Sequence, residues 1–193
     1  MTSWLWNLKA KLYRSVRKSF PFNLILKSEN KRLELLLCSL DIDGKKVVDL
    51  GTGTGNALQY LTDSNFVCGI DLTFSMLKVA RQLYPGVELI QADALKLPVK
   101  TNAVEIVTAV GLSEYMRDIE SLFKESYRLL KTNGYLIITF SPPGIWTGLR
   151  LLIGHSIFPR TLDELKKIAQ NERFQLIENH RSLMQIQVLF QKI

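Results

Sequence analysis

Nine residues constrain this chain more than any others: Val47-Val48-Asp49-Leu50-Gly51-Thr52-Gly53-Thr54-Gly55. Apolar and β-branched residues lead into a run with glycine at every second place. A turn signal, Asp41-Ile42-Asp43-Gly44, precedes it, and residues 56–61 after it read as helix. A strand that stops at a glycine turn and restarts as a helix brings backbone N–H groups close to a ligand. The rest of the chain decides which ligand.

Around that turn the pattern alternates strand and helix. Strands are expected at 47–50, 66–70, 87–91, 104–110 and 135–140, with helices running to about 62, over 75–83 and over 118–131. Pro85-Gly86 ends the second of these helices and Asn133-Gly134 the third. Alternation at this spacing predicts an α/β fold, a Rossmann-like doubly wound sheet that is mostly parallel. Residues 141–160 break the alternation. Ser141-Pro142-Pro143-Gly144 interrupts the chain, and an apolar stretch follows with Ile145, Trp146, Leu149, Leu151 and Leu152. Thr161-Leu162-Asp163-Glu164 is a capping box that opens a helix to about 170. Two strands, 174–179 and 185–191, come last.

Upstream of the turn, residues 24–40 read as a largely buried helix. Residues 3–20 carry Trp4, Leu5, Leu8, Leu12, Val16 and Phe20 at mostly helical spacing, with basic residues between them. The chain thus divides into an N-terminal helical cap, 1–40, and a core, 41–193, of one domain.

Charge is unevenly placed. Of a net +7, residues 1–32 hold eight Lys/Arg and one acid, Glu29, so that the remainder is balanced. A basic body would point to nucleic acid; a neutral body with a basic arm points elsewhere. The 3–20 helix reads as a cap with solvated charges, as a peripheral contact with anionic membrane lipid, or as a contact with nucleic acid. No stretch has the roughly 18 apolar residues that span a bilayer. The start of the chain lacks the layout of a signal peptide. Cys38 and Cys68 have no metal-ligand spacing, so no metal is expected and the location is expected to be cytoplasmic.

A glycine turn at the switch point of an open α/β sheet is a site for a nucleotide-like ligand. The dinucleotide pattern G-x-G-x-x-G wants glycine at Asn56 or Leu58, and neither position has it. Asp71 lies 20 residues beyond Gly51, where a carboxylate can accept ribose hydroxyls. These features fit a nucleoside without separating a dinucleotide from S-adenosyl-L-methionine.

Four motifs in order separate them. The first is the glycine run itself. The others are Gly69-Ile70-Asp71-Leu72-Thr73-Phe74-Ser75-Met76-Leu77, Gln91-Ala92-Asp93-Ala94-Leu95-Lys96-Leu97-Pro98 and Leu129-Leu130-Lys131-Thr132-Asn133-Gly134-Tyr135-Leu136. Together they resemble the class I S-adenosylmethionine-dependent methyltransferases, through most of residues 46–193. The resemblance implies a seven-stranded sheet with an antiparallel last strand. It implies that Gly51 and Gly53 let the backbone approach the methionine part of the cofactor while Asp49 faces its ammonium. Asp71 would accept the ribose hydroxyls, Leu72 and Met76 would lie against adenine, and Asp93 and Ala94 would meet its amino edge. Thr52 and Gly111 complete the implied cofactor set. Thr132-Asn133-Gly134 departs from the family's Pro-Gly-Gly, although Asn-Gly still supplies a turn.

The methyl acceptor is less legible. Many small-molecule members carry a histidine pair after strand four; this chain has Ser113-Glu114-Tyr115-Met116 there. Glu114, Tyr115 and His155 are the candidate catalytic groups, each with an ordinary structural role as the alternative. Tyr13 fits loosely, since related enzymes begin with an aromatic helix that closes over the cofactor. Both segments expected to cover the site, 3–27 and 141–160, are apolar, which favours an apolar small-molecule acceptor. Combined with the basic helix, this suggests a lipid or quinone, and the pattern leading to Phe20-Pro21-Phe22 is distantly similar to ubiquinone/menaquinone and phospholipid methyltransferases. A small soluble metabolite, RNA or protein are the other acceptors, and a cofactor-binding module without catalysis is the other function. Against RNA, the Asn/Asp-Pro-Pro-Tyr/Phe of base-modifying members is missing after strand four.

Overall fold

The computed structural model describes residues 22–152 and 156–193. Its frame is a seven-stranded sheet in the order β3-β2-β1-β4-β5-β7-β6. The strands are β1 (Lys46–Leu50), β2 (Phe66–Asp71), β3 (Glu88–Gln91), β4 (Val104–Ala109), β5 (Leu130–Phe140), β6 (Phe174–Arg181) and β7 (Ile186–Lys192). β1 to β5 pair in parallel, and β7 runs antiparallel to both β5 and β6. This is the expected mostly parallel sheet with an antiparallel last strand. Chain order reverses between β1 and β4, and that reversal opens a crevice at the carboxyl ends of the strands.

Strands buried on both faces read as near-continuous apolar runs, and Val47, Val48 and Leu50 each lie within the core. Among the described residues there are five α-helices: α1 (Phe22–Cys38), α2 (Phe74–Leu83), α3 (Ile119–Leu129), α4 (Ile145–Leu152) and α5 (Leu162–Asn171). On one face Leu122, Phe123 and Leu129 of α3 and Leu165 of α5 pack with Val48, Val107, Ile138 and Phe190. On the other, Leu33, Leu36 and Leu37 of α1 meet Val47, Ile106, Ile137 and Leu189. α1 is also tied to the last strand, because Gln187 Nε2 donates to the Glu29 carbonyl at 2.7 Å. The capping box forms as expected: Thr161 Oγ1 accepts from Glu164 N while the Glu164 carboxylate accepts from Thr161 N.

Three local expectations differ from the structure. No α-helix follows β1; the region holds only a 3-10 turn at Leu58–Tyr60. Glycine turns occupy the chain through Gly55, and Asp63-Ser64 breaks it again, which leaves too few residues to repay helix nucleation. β5 begins at Leu130 rather than 135, since Leu130 is already extended (φ −70°, ψ 137°) and pairs with Val104. Asn133 (φ 62°) therefore belongs to an irregularity within the strand, not to the helix end. Finally, α1 is buried along one stripe, not largely, and leaves Leu24 and Leu35 in solvent. The basic segment 3–20, Tyr13 and His155 lie outside the described residues.

Candidate active site

The glycine turn is held open by left-handed backbone and closed onto its neighbour by a carboxylate. Gly51, Gly53 and Gly55 have φ of 66°, 55° and 89°. Thr52 N donates to Ile70 O at 2.9 Å. Asp71, at the end of β2, then accepts twice: Gly53 N donates to its Oδ2 at 2.9 Å and Thr73 N to its Oδ1 at 2.7 Å. One side chain therefore fixes the turn after β1 to the turn after β2. Burial pushes the Asp71 carboxyl up, and the two N–H donors offset this only in part.

Gly51 is required for two reasons. Its φ is left-handed, and an added Cβ would stand 2.8 Å from Leu112 Cδ1 and 2.9 Å from Leu112 Cβ. Gly51→Ala should cost about 1–2 kcal/mol from the backbone alone, with the displacement of Leu112 in addition. A urea midpoint unchanged in this variant would contradict both arguments.

Beyond the turn lies a cavity of about 360 Å³ at the carboxyl edge of β1, β2, β3 and β4. Asp49 lies at its floor, buried. Its Oδ1 accepts from Thr108 Oγ1 at 2.6 Å, whereas Oδ2 has no hydrogen-bond partner. Burial raises its carboxyl to about 6, and the neighbouring Thr108 and Thr52 hydroxyls pull the other way. A buried carboxylate oxygen without a donor is a ready acceptor for a cationic ligand group. Leu72 and Met76 line the cavity from the β2–α2 side, with Asp93 and Ala94 after β3. Asp93 Oδ1 accepts from Leu95 N at 2.9 Å, an Asx turn that fixes the carboxylate at the rim. Across from them stand Gly111, Leu112, Tyr115 and Met116. Gly111, at φ 73°, donates its N–H to Thr139 Oγ1 at 2.7 Å.

All ten residues assigned to the cofactor from sequence (Asp49, Gly51, Thr52, Gly53, Asp71, Leu72, Met76, Asp93, Ala94 and Gly111) line this one cavity. Of the catalytic candidates, Tyr115 lines it and Glu114 is not among the lining residues. Glu114 is 2% exposed. Its carboxylate accepts from Arg150 Nη2 at 2.6 Å and Nη1 at 3.1 Å, and from the Ser141 hydroxyl. A carboxylate engaged by a bidentate guanidinium is a structural anion, not a base facing substrate. The geometry replaces the base reading of Glu114 with an ion pair behind the wall.

Sequence reasoning missed two parts of the wall. α1 contributes Glu29, Asn30 and Leu33, and the far end contributes Gln185 and Gln187. One signal was present for each. Glu29 is the single acid in a basic segment, and Gln187 stands directly before the apolar run Val188-Leu189-Phe190. Gln187 Oε1 is buried without a partner. Among the described residues no group of three or more His, Cys, Asp or Glu side chains is arranged to hold a metal ion.

A family model described as "Methyltransferase domain" matches residues 48–138, which include the glycine turn, Asp71 and Asp93. Among curated proteins, the chain is 36% identical over 114 residues to malonyl-[acyl-carrier protein] O-methyltransferase of a Marinomonas species, covering 55% of this chain and 42% of that one. It is 31% identical over 108 residues to demethylmenaquinone methyltransferase of Streptomyces griseus, covering 55% and 46%. The aligned part thus spans less than half the length of either relative. Among solved structures, magnesium protoporphyrin IX methyltransferase of Synechocystis, with bound SAH, superposes with a TM-score of 0.79 at 14% identity, covering 94% of this chain and 93% of that one. A putative methyltransferase of Bacillus halodurans has a TM-score of 0.66 at 27% identity, covering 76% and 71%.

Proposed function

We propose that the chain is a class I S-adenosylmethionine-dependent methyltransferase that transfers a methyl group from that donor to an apolar small-molecule acceptor, lipid- or quinone-like. The observation that carries the donor half is the convergence of Asp49, the glycine turn, Asp71 and Asp93 on one cavity. The partnerless Asp49 Oδ2 suits an ammonium, and the Asp71 carboxylate keeps lone pairs for ribose hydroxyls after accepting from Gly53 and Thr73. S-adenosylmethionine supplies an electrophilic methyl on a sulfonium. The protein's part is to hold an acceptor in line with it, and such positioning supplies much of the acceleration in a displacement of this kind.

For the acceptor half, Leu112, Met116 and Leu33 give the cavity an apolar side, and Tyr115 lines the same space. Tyr115 is the group best placed to hydrogen-bond the acceptor's nucleophile. The relative named for demethylmenaquinone supports the apolar class, whereas the one named for malonyl-[acyl-carrier protein], whose malonyl group bears a carboxylate, does not.

Calorimetry with S-adenosylhomocysteine and with NAD tests the donor. Tighter binding of NAD would overturn the assignment. Labelled donor incubated with lipid extract, metabolite and RNA pools tests the acceptor. Label in the lipid pool is the expected result; label in RNA, or donor binding with no transfer to any pool, would overturn the acceptor reading.

Asp49 makes the binding pH-dependent. Only the ionised carboxylate pairs with the donor's ammonium, so affinity should be level in the neutral range. Below about 6, where Asp49 takes up a proton, affinity should fall by up to about tenfold per pH unit. The empty fold responds in the opposite sense. Its carboxyl is raised above the ordinary 3.8, so the stability linked to protonated Asp49 is full below that value and is lost as pH rises through about 6. Asp49→Asn should bind donor weakly at every pH, without the slope. Titration calorimetry across this range reads both effects.

A further inference from the structure

β7 alternates between the two faces of the sheet. Val188 and Phe190 pack with α3 and α5, and Leu189 packs with α1. By the same alternation Gln187 belongs to the α1 side, and it is 1% exposed. Polar groups buried this deeply are paired almost without exception. Only half of this amide is. Nε2 donates to the Glu29 carbonyl at 2.7 Å, while Oε1 has no hydrogen-bond partner. The bond to Glu29 also fixes which end of the amide is oxygen, because the reversed amide would set two oxygens against each other. Tying α1 to β7 needs only the N–H. The oxygen is left for a ligand.

Position says which ligand. The groups assigned to the donor follow the strand order: Asp93 and Ala94 after β3, Asp71 at β2, Asp49 and the glycine turn at β1, and Gly111 after β4. Gly111 N donates to Thr139 Oγ1 of β5 at 2.7 Å, and Thr139 pairs across the sheet with Gln187. Past Gly111 the cavity wall therefore continues with Gln187 and with Gln185 just before β7, and α1 closes it with Asn30 and Leu33. The start of β7 is held in place by a closed turn, in which Ser182 N donates to Gln185 O at 2.8 Å and Gln185 N to Ser182 Oγ at 3.0 Å. This end of the cavity is the part that the donor's groups leave over. Asp49 already offers an unpartnered carboxylate oxygen to the donor's ammonium, and its charge makes it the stronger acceptor of the two.

We propose that Gln187 Oε1 selects the methyl acceptor by taking a hydrogen bond from an O–H or N–H on its head group. The inference rests on the methyl-transfer function proposed above and adds a chemical requirement to it: an acceptor with an apolar body carries a hydroxyl or an amine at its head. An amide oxygen gives nothing to a carbonyl, an ether or a hydrocarbon. A site built to pair with a substrate's O–H or N–H rejects an analogue without it, because the buried group is then left alone.

The test uses the full chain with labelled donor and lipid extract, before and after acetic anhydride has acetylated the hydroxyls and amines of the extract; if the parent labels another pool, that pool receives the same treatment. The parent should transfer at least about tenfold less label to the acetylated pool. Gln187→Met keeps the length of the side chain and removes the oxygen. Its transfer to the untreated pool should be at least about tenfold slower, with affinity for S-adenosylhomocysteine within about twofold of the parent's. Gln187→Glu keeps an acceptor oxygen and should recover most of the rate. Equal labelling of treated and untreated pools by the parent would overturn the proposal, and so would a folded Gln187→Met chain that transfers as fast as the parent. A Gln187→Met chain that loses transfer and S-adenosylhomocysteine affinity together would assign the amide to the donor or to the seating of α1, and would overturn it too. The acetylation arm needs no variant, so it decides the matter even where Gln187→Met fails to fold. S-adenosylhomocysteine bound with no label in any pool would remove the transfer function itself, and this inference with it.

Discussion

Asp71→Ala should lose about 3 kcal/mol of donor affinity, more than a hundredfold, on the scale of hydrogen bonds to a charged group. The size follows from the carboxylate's two tasks. It accepts from Gly53 N and Thr73 N, and so holds the glycine turn against β2. Its remaining lone pairs are the proposed acceptors for the ribose hydroxyls. Alanine removes both and leaves the Gly53 N–H without its partner. Asp71→Asn separates the tasks, since one amide oxygen can still accept, and its affinity should fall between those of parent and alanine. Stability should move less than affinity. Burial already raises the Asp71 carboxyl, so the empty fold carries this charge at a cost that the neutral amide does not incur. Calorimetry of folded variants decides the matter, and an alanine variant within twofold of the parent would end the ribose assignment.

The residues of the proposed donor cavity were legible through motifs that resemble a known family's, and those motifs sit on backbone turns at strand ends, where few residue types are tolerated. Gly51, Asp71 and Asp93 each end or follow a parallel strand, and strand ends can be read from apolar runs and turn residues. The parallel part of the sheet was legible for the same reason, while its antiparallel last strand was expected only from the family resemblance. The helix expected after β1 was not, because local propensity at residues 57–62 favours it while the glycines before it and Asp63-Ser64 after it leave no length for it. Gln187 and Glu29 were missed for a different reason. They are 158 positions apart and meet only through the fold, where the Gln187 amide caps the Glu29 carbonyl. Glu114 shows the limit most clearly. In sequence it is a carboxylate after strand four, the place for a base; its partner Arg150 lies 36 residues on, in a segment whose apolar residues suggested only a cover.

That pair predicts the largest loss of stability in the molecule, and an asymmetry within it. Arg150→Ala leaves Glu114, 2% exposed on the wall behind the cavity, with the Ser141 hydroxyl as its remaining side-chain donor. Removing one partner of a buried pair costs about 3–5 kcal/mol, because the other charge stays desolvated, and that is a large share of the margin of an ordinary domain. Glu114→Ala should cost less. The stranded charge then sits on an eight-residue helix whose buried residue is Thr147, and α4 can swing outward to return the guanidinium to water. Glu114→Leu/Arg150→Met should regain much of the loss, since apolar residues of similar volume do without the desolvation. Urea midpoints measure all three. Equal losses in the two single variants would mean that α4 cannot release, and that its grip on the fold comes from contacts other than this ion pair. The donor supplies the control. Neither Glu114 nor Arg150 lines the cavity, so affinity for S-adenosylhomocysteine should stay within a few-fold in every variant that remains folded. A parallel loss of that affinity would instead make the ion pair a support for the Gly111–Tyr115 wall.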